Sequence, residues 1–97
     1  MKKISNKNCA EFVENKVPFQ ANNIFTNDYN EKMYIVYSYG YHFPMYVCDI
    51  ANGNIWYENS DKYSVSTSKQ QTQARPSYNM QYKRTHELLE IIRNCNS

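Results

Sequence analysis

The spacing of apolar residues changes along the chain, from helical near the N terminus to alternating in the middle. Cys9, Phe12 and Val13 lie at i, i+3 and i+4, after a polar stretch that contains Ser5. This spacing places the three side chains on one face of a helix, and a serine is a favoured residue before the first turn. The pattern predicts a short amphipathic helix over about residues 6–16.

The middle of the chain has the composition of β-strands. Residues 33–39, Met-Tyr-Ile-Val-Tyr-Ser-Tyr, are rich in β-branched and aromatic side chains and predict the central strand of a sheet. Residues 19–26 predict a weaker strand before it, and residues 45–50 and 55–57 predict further strands after it. Because the connections are too short for a crossover helix, we expect three or four antiparallel strands in meander order.

Two breaks separate the predicted strands. The segment Gly40-Tyr41-His42-Phe43-Pro44 interrupts the strong run before it, because glycine and proline weaken a strand. The dipeptide Asn52-Gly53 lies between two β-rich runs and predicts a type I′ hairpin, since both central residues of that turn need positive φ.

The last third of the chain is polar first and amphipathic afterwards. Residues 60–77 consist mainly of Ser, Thr, Gln, Lys and Arg, and a polar loop of this length in a small domain is usually functional. Leu88, Leu89, Ile91, Ile92 and Cys95 then follow a helical spacing, which predicts a helix over about residues 79–95. We therefore expect one α+β domain over residues 1–97, with both helices packed on one face of the sheet.

Composition favours a folded domain with an aromatic surface. The chain has 97 residues, of which 41% are hydrophobic and 15% aromatic, with ten tyrosines. This is enough apolar surface for one core and too little chain for two. Tyrosine combines an apolar ring with a polar tip, so these residues fit either a partner surface or a half-buried sheet face. The sequence leaves both interpretations open.

The cysteines and the N terminus predict an intracellular location. Cys9, Cys48 and Cys95 form an odd set without Cys-x-x-Cys spacing, so neither a disulfide framework nor a zinc site is indicated. No apolar run of signal-peptide or membrane-spanning length follows the basic start. We expect a cytoplasmic protein with no membrane association.

Charge is unevenly distributed along the chain. The net charge is +2, but residues 11–61 carry a net charge of −5 and residues 62–97 one of +4. Residues 62–86 contain five basic side chains and no acid. We expect a one-sided basic surface.

No residue pattern indicates catalysis or a bound cofactor. Ser66-x-x-Lys69 matches a minimal Ser-Lys spacing, but a loop rich in serine and lysine produces it by chance and the companion motifs of such enzymes are missing. His42 and His86 are far apart in the sequence, and we expect neither to bind a metal or to act as a general base. With two glycines in the chain, no phosphate-binding glycine loop is present. The prediction is a non-enzymatic protein without metal or cofactor.

The polar segment after residue 60 combines the side chains that hold nucleic acid. Lysine and arginine attract phosphate, glutamines 70, 71 and 73 reach bases, and tyrosines 63, 78 and 82 offer stacking surfaces. Two alternatives stay open. In the first, the segment is an ordinary solvated loop. In the second, Arg75 folds back to pair with Asp61 or Glu58, and the motif then holds the loop across the sheet.

These motifs resemble a family of small uncharacterised proteins of bacteriophages and mobile elements. The resemblance covers roughly residues 17–76 and depends on Ser-Tyr-Gly at 38–40, Asp-Lys-Tyr-Ser at 61–64 and Gln-Ala-Arg-Pro at 73–76. Cys48 departs from the family pattern, where an aromatic or small residue is expected. The resemblance implies a product of a mobile element that acts inside a bacterium, and carries no activity with it.

The resemblance and the composition lead to one main hypothesis and one alternative. The main hypothesis is a protein that binds and inhibits or modulates a host protein or nucleoprotein complex, such as an anti-CRISPR inhibitor of a defence system. The alternative is a small nucleic-acid-binding accessory protein that uses the basic 62–84 segment. An open sheet edge also allows a homodimer. The predicted contact residues are Tyr39, Tyr41, His42, Trp56, Tyr57, Lys62, Tyr63, Lys69, Gln73, Arg75, Lys83 and Arg84.

Overall fold

A computed structural model describes residues 2–5, 8–27, 31–61 and 78–96. It confirms the α+β class. The helices are α1 (Cys9–Glu14) and α2 (Thr85–Asn96), with a 3₁₀ turn at Ile50–Asn52. The strands are β1 (Lys2–Lys3), β2 (Phe19–Ala21), β3 (Ile24–Thr26), β4 (Met33–Ser38), β5 (Gly40–Asp49), β6 (Ile55–Asn59) and β7 (Gln81–Lys83).

The sheet is larger than predicted and is mixed. Within the described residues it has seven strands, which lie side by side in chain order from β1 to β7. The pairs from β2 to β6 are antiparallel, as the meander prediction requires. The outer pairs β1–β2 and β6–β7 are parallel. The prediction of three or four strands, all antiparallel, is therefore wrong.

One of the extra strands arises because the predicted strand over residues 19–26 is two strands. Asn23 has a positive φ of 61°, a conformation that asparagine tolerates better than most residues. The chain reverses there, and Gln20 pairs with Phe25 across the resulting hairpin. The hydroxyl of Thr26 accepts a hydrogen bond of 3.0 Å from the backbone N–H of Phe19, which ties the two strands together.

The two helices lie on opposite faces of the sheet, which corrects the prediction that they share one face. On the first face, α1 contributes Cys9 and Val13 to a core that includes Tyr34, Val36 and Tyr46. On the second face, α2 contributes Leu88 to a core with Met33, Ile35 and Val47. All six residues of β4 are buried. A central strand covered on both faces needs a continuous hydrophobic run, and residues 33–37 form one.

Both helices are shorter than predicted. The helix α1 begins after Asn8 and ends before Lys16, whose φ of 53° is not helical. The helix α2 begins at Thr85 rather than at residue 79, because Gln81–Lys83 is extended and forms the edge strand β7. In the described part of the chain, no helix is long and apolar enough to cross a bilayer.

The Asn52-Gly53 hairpin forms, but with a different turn from the one predicted. The strand β5 ends at Asp49, and the 3₁₀ turn follows before β6 begins. Positive φ falls on Gly53 (95°) and Asn54 (60°) rather than on Asn52 and Gly53. The side chain of Asn52 instead donates a 2.7 Å hydrogen bond to a carboxylate oxygen of Asp49. This bond favours the 3₁₀ turn over a two-residue loop.

Candidate interaction surface at the β4–β5 hairpin

The chain turns sharply at Tyr39, between the two longest strands. Tyr39 has a φ of 66°, which is uncommon for an aromatic residue and costs conformational energy. Ser38 pairs with Gly40 on either side of it, and the Tyr39 N–H donates a 2.9 Å hydrogen bond to the carbonyl oxygen of Asn23. The predicted break at residues 40–44 is therefore a tight turn at Tyr39, and β5 runs through those residues.

Gly40 gives the neighbouring histidine the space it occupies. A Cβ atom on Gly40 would lie 2.8 Å from Nδ1 of His42 and 2.9 Å from its Cε1. Real Cβ atoms do not approach other atoms so closely, so any larger residue would displace the imidazole. The imidazole of His42 is thus set against the turn, and the residue as a whole is exposed.

Pro44 lies inside β5, where the sheet register shifts. It pairs with Tyr37, next to irregularities on either side of that residue, and proline is tolerated in a strand at such places because it has no N–H to donate. Its carbonyl oxygen accepts a 2.8 Å hydrogen bond from the side chain of Asn59. Asn59 is 1% exposed and fixes β5 against β6 from within.

Three aromatic rings form a cluster on the α2 face of the sheet, beside the hairpin. Phe25 stacks on Tyr37 at 5.4 Å between ring centroids. Tyr41 meets both rings edge to face, at 5.0 Å from Phe25 and 4.9 Å from Tyr37. Such geometries stabilise aromatic pairs beyond the area they bury. We call Phe25, Tyr37 and Tyr41 the aromatic cluster.

The aromatic cluster is buried at its base and exposed at its top. Tyr37 is 6% exposed, whereas Tyr41 is 69% exposed and the adjacent Tyr39 is 42% exposed. The helix α2 packs mainly over β5 and β6. The aromatic cluster therefore occupies the part of this face, on β3 and the end of β4, that lies beside α2.

The sequence-predicted contact residues Trp56 and Tyr57 lie in the two cores. Trp56 is 4% exposed and stacks on Tyr78 with ring centroids 5.2 Å apart and planes 9° apart. The hydroxyl of Tyr78 donates a 2.8 Å hydrogen bond to the carbonyl oxygen of Glu14. Tyr57 is half-buried and packs against the α2-side core. Tyr78 therefore joins the segment before β7 to α1 and to Trp56, and Trp56 is a core residue rather than an exposed contact residue.

Arg84 is bound within the molecule. Its guanidinium lies 3.0 Å from Oδ1 of Asp61, and Oδ2 of Asp61 accepts a 2.9 Å hydrogen bond from the N–H of Thr85. The N–H and hydroxyl of Thr85, with the Arg84 guanidinium, hold the pKa of Asp61 below its usual value of 3.8. Asp61 thus caps α2 from a distant part of the chain. Arg84 nevertheless keeps 66% of its side chain exposed.

The remaining predicted contact residues are placed differently or lie outside the described residues. Lys83 is half-buried in β7 and borders a shallow groove with Glu87, Glu90 and Ile91. Five predicted residues lie outside the described residues: Lys62, Tyr63, Lys69, Gln73 and Arg75. The hairpin therefore brings together three of the predicted residues, namely Tyr39, Tyr41 and His42.

Sequence reasoning did not include Phe25 among the contact residues. The sequence predicts one strand over residues 19–26. The hairpin at Asn23 divides this segment into two strands and so determines which aromatic rings share a face with Phe25. Once Phe25 is paired with Tyr37, their rings must lie on the same side of the sheet.

Cys9 and Cys48 are buried core residues. Burial raises the pKa of the Cys9 thiol to about 11 and that of Cys48 to about 11. Both thiols are therefore neutral near pH 7, where a nucleophilic or metal-binding cysteine would be a thiolate. Among the described residues, no group of three or more His, Cys, Asp or Glu side chains is arranged to hold a metal ion.

The aromatic cluster offers stacking surfaces and tyrosine hydroxyl groups on three adjacent strands, β3, β4 and β5. These are features of a binding surface, because rigid rings lose little entropy when a partner covers them. Comparisons with known proteins add no further assignment, since no protein-family model, curated protein or solved structure matches this chain.

Proposed function

We propose that this chain is a non-enzymatic protein of a bacteriophage or mobile element that binds and modulates a host nucleoprotein complex, as an anti-CRISPR inhibitor does. The observation that carries the binding part of the proposal is the exposed aromatic cluster with Tyr41 at its top. The mobile-element origin and the host target follow from the resemblance of its sequence motifs.

The geometry of Tyr41 supports a contact role. A tyrosine that is 69% exposed and yet meets two other rings edge to face presents a large apolar area in a fixed orientation. Tyrosine, tryptophan and arginine dominate the energetics of protein interfaces. The tight turn at Tyr39 further supports the proposal, since strained backbone is concentrated at functional sites.

The described residues of the sequence motifs support two different roles, one structural and one in binding. Asn59 and Asp61 bond to Pro44, Thr85 and Arg84 inside the molecule. These bonds hold the sheet and α2 in place, which supports an architectural role for Asp61, the first residue of the Asp-Lys-Tyr-Ser motif. Ser-Tyr-Gly at residues 38–40, by contrast, lies at the exposed hairpin.

An interference assay tests the proposal. Bacteria with an active CRISPR defence express the wild-type chain, Tyr41→Ala or Tyr82→Ala, and are infected with a phage that the defence targets. Tyr82 is a matched control because it is also in a strand and is 61% exposed. We expect plaques with wild type and with Tyr82→Ala, and at least a tenfold reduction with Tyr41→Ala, as hot-spot tyrosines cost about 2 kcal/mol or more.

Two results would contradict the proposal. One is that the wild-type chain restores no plaques against any of the defence types tested and co-purifies with no host complex. The other is that Tyr41→Ala retains full activity while it is folded, as judged by circular dichroism. The second result would remove the aromatic cluster from the proposal and leave the contact surface elsewhere.

A further inference from the structure

A row of side chains crosses four strands of the sheet on the face that carries the aromatic cluster. The register pairs Lys3 with Gln20, Gln20 with Phe25, and Phe25 with Tyr37. Directly paired residues point to the same side of a sheet. Adjacent strands are about 4.8 Å apart, so the row spans about 14 Å. Tyr41 rests on its aromatic end.

The burial of neighbouring residues confirms which face the row occupies. Ile4 directly follows Lys3, and Phe19 directly precedes Gln20. Phe19 belongs to the core on the α1 side, and Ile4 packs against that core. Since successive side chains alternate between faces, Lys3 and Gln20 point to the α2 side, and both are exposed. The row therefore runs from an exposed lysine through an exposed amide to aromatic rings.

The fold separates this row from much of the acidic charge of the middle segment. Glu11 and Glu14 lie on α1, on the opposite face. The charge of Asp61 is paired with Arg84. Of the acids on the α2 side, Glu87 and Glu90 lie on α2, which packs mainly over β5 and β6. Among the described residues, none of the paired positions in the row holds a carboxylate.

We propose that this row binds single-stranded nucleic acid. The Lys3 ammonium contacts a phosphate, the Gln20 amide hydrogen-bonds a base edge, and the rings of Tyr41 and Phe25 stack on bases. Open sheets with exposed aromatic rings hold about two or three bases in this manner. The row has one basic end and no acid at its paired positions, which matches a polyanion better than an acidic protein surface.

This inference rests on the proposed function, because it assigns the aromatic cluster to the nucleic-acid component of the host complex. It differs from the sequence-based nucleic-acid hypothesis in its residues. That hypothesis used the basic 62–84 segment, whereas the row lies on β1 to β4 and Tyr41 of β5 rests on its aromatic end.

Fluorescence anisotropy with labelled oligo-dT and oligo-U of about 12 nucleotides tests the inference, since single-strand binding sites are of this size. We expect the wild-type chain to bind both, with Tyr41→Ala at least tenfold weaker and Tyr82→Ala unchanged. We expect Lys3→Ala to reduce the slope of log affinity against log salt by about 0.7, the value for one phosphate contact on a single strand.

The controls separate a specific loss from a general one. Lys32→Ala removes an exposed lysine at the opposite end of β4 and should leave the salt slope unchanged. Tyr41→Phe keeps the ring and should retain binding within about threefold, because stacking depends on the ring rather than on the hydroxyl. Circular dichroism and thermal unfolding establish that each variant is folded.

The outcomes distinguish this inference from the proposed function. No binding of either oligonucleotide, or equal losses in Tyr41→Ala and Tyr82→Ala, would overturn the inference. If the chain still inhibits defence in a manner that requires Tyr41, the proposed function stands and the aromatic cluster contacts protein. If the chain binds oligonucleotides through Tyr41 but never affects host defence, the proposed function fails and the row stands as a nucleic-acid site.

Discussion

The Asp61 carboxylate links the chain just after β6 to the start of α2, just after β7. One oxygen caps the first turn of α2 at Thr85, and the other pairs with Arg84. Asn59 extends this junction, because its amide bonds the Thr85 hydroxyl and its carbonyl accepts from the Asp61 N–H. The alternative in which Arg75 pairs with Asp61 or Glu58 concerns a residue outside the described ones, and within the described residues Asp61 pairs with Arg84.

Removing this carboxylate should destabilise the protein without changing its core. We expect Asp61→Ala to lower the free energy of unfolding by about 1–2 kcal/mol, from loss of a helix cap and a partly exposed ion pair. Urea titration followed by circular dichroism measures this change. Glu90→Ala, an exposed acid on α2, is the matched control and should stay within about 0.5 kcal/mol of wild type. Equal losses in both variants would contradict the capping role.

Because Asp61 takes part in this junction, the free energy of unfolding should depend on pH in the acid range. Because the folded-state pKa of Asp61 is lowered, its contribution is complete above the unfolded-state pKa of about 3.9. The contribution is lost as the pH falls through the folded-state pKa, where the native carboxylate takes up its proton. We expect the difference in unfolding free energy between wild type and Asp61→Asn to shrink below about pH 4. A difference that is constant from pH 7 to pH 2 would show that Asp61 acts through packing.

At the scale of elements, each helix covers one face of the sheet and so stabilises one core. The apolar residues Leu88, Ile91 and Ile92 of α2 follow the helical spacing that the sequence predicts, and they belong to the core on the α2 side of the sheet. The helix also leaves the β3 side of its face to the aromatic cluster. The position of α2 therefore determines both a core and the exposed surface beside it.

Truncating the central contact of α2 should cost much of the stability. Leu88 is fully buried, and we expect Leu88→Ala to lower the free energy of unfolding by about 2–5 kcal/mol, because it removes buried area and leaves a cavity. Arg93→Ala on the exposed side of the same helix should cost less than about 0.5 kcal/mol. Thermal and urea unfolding of the two variants give the comparison. A loss below about 1 kcal/mol for Leu88→Ala would mean that α2 packs loosely.

Over the whole molecule, the central strands should be the most stable part. The strands β4 and β5 pair with each other over the longest register, and most of their residues are buried. We expect their backbone amides to exchange with deuterium only at rates close to those of global unfolding. The strands β1 and β7 should exchange faster, because within the described residues each pairs with one neighbouring strand. Protection that is highest in β1 or β7 would contradict this order.

Several features of the whole molecule can be predicted from local sequence patterns. The fold class, the central strand at residues 33–38, the amphipathic face of α2 and the hairpin near Gly53 all follow from local spacing and turn chemistry. Such features depend on residues close together in the chain. Of the proposed contact residues, Tyr39 and Tyr41 could be named from the sequence, since they are tyrosines at and beside a predicted break in a strand.

The tertiary structure decided how these elements combine. The continuous apolar run of β4 fits burial on both faces or on one, and only the docking of α1 and α2 on opposite sides distinguishes the two. The parallel edge strand β7 and the pairing of Asp61 with Arg84 join residues more than 20 positions apart. The row from Lys3 to Tyr37 depends on the register of four strands. Sequence therefore determined the local elements, while long-range pairing, which no local pattern encodes, determined the surface they form.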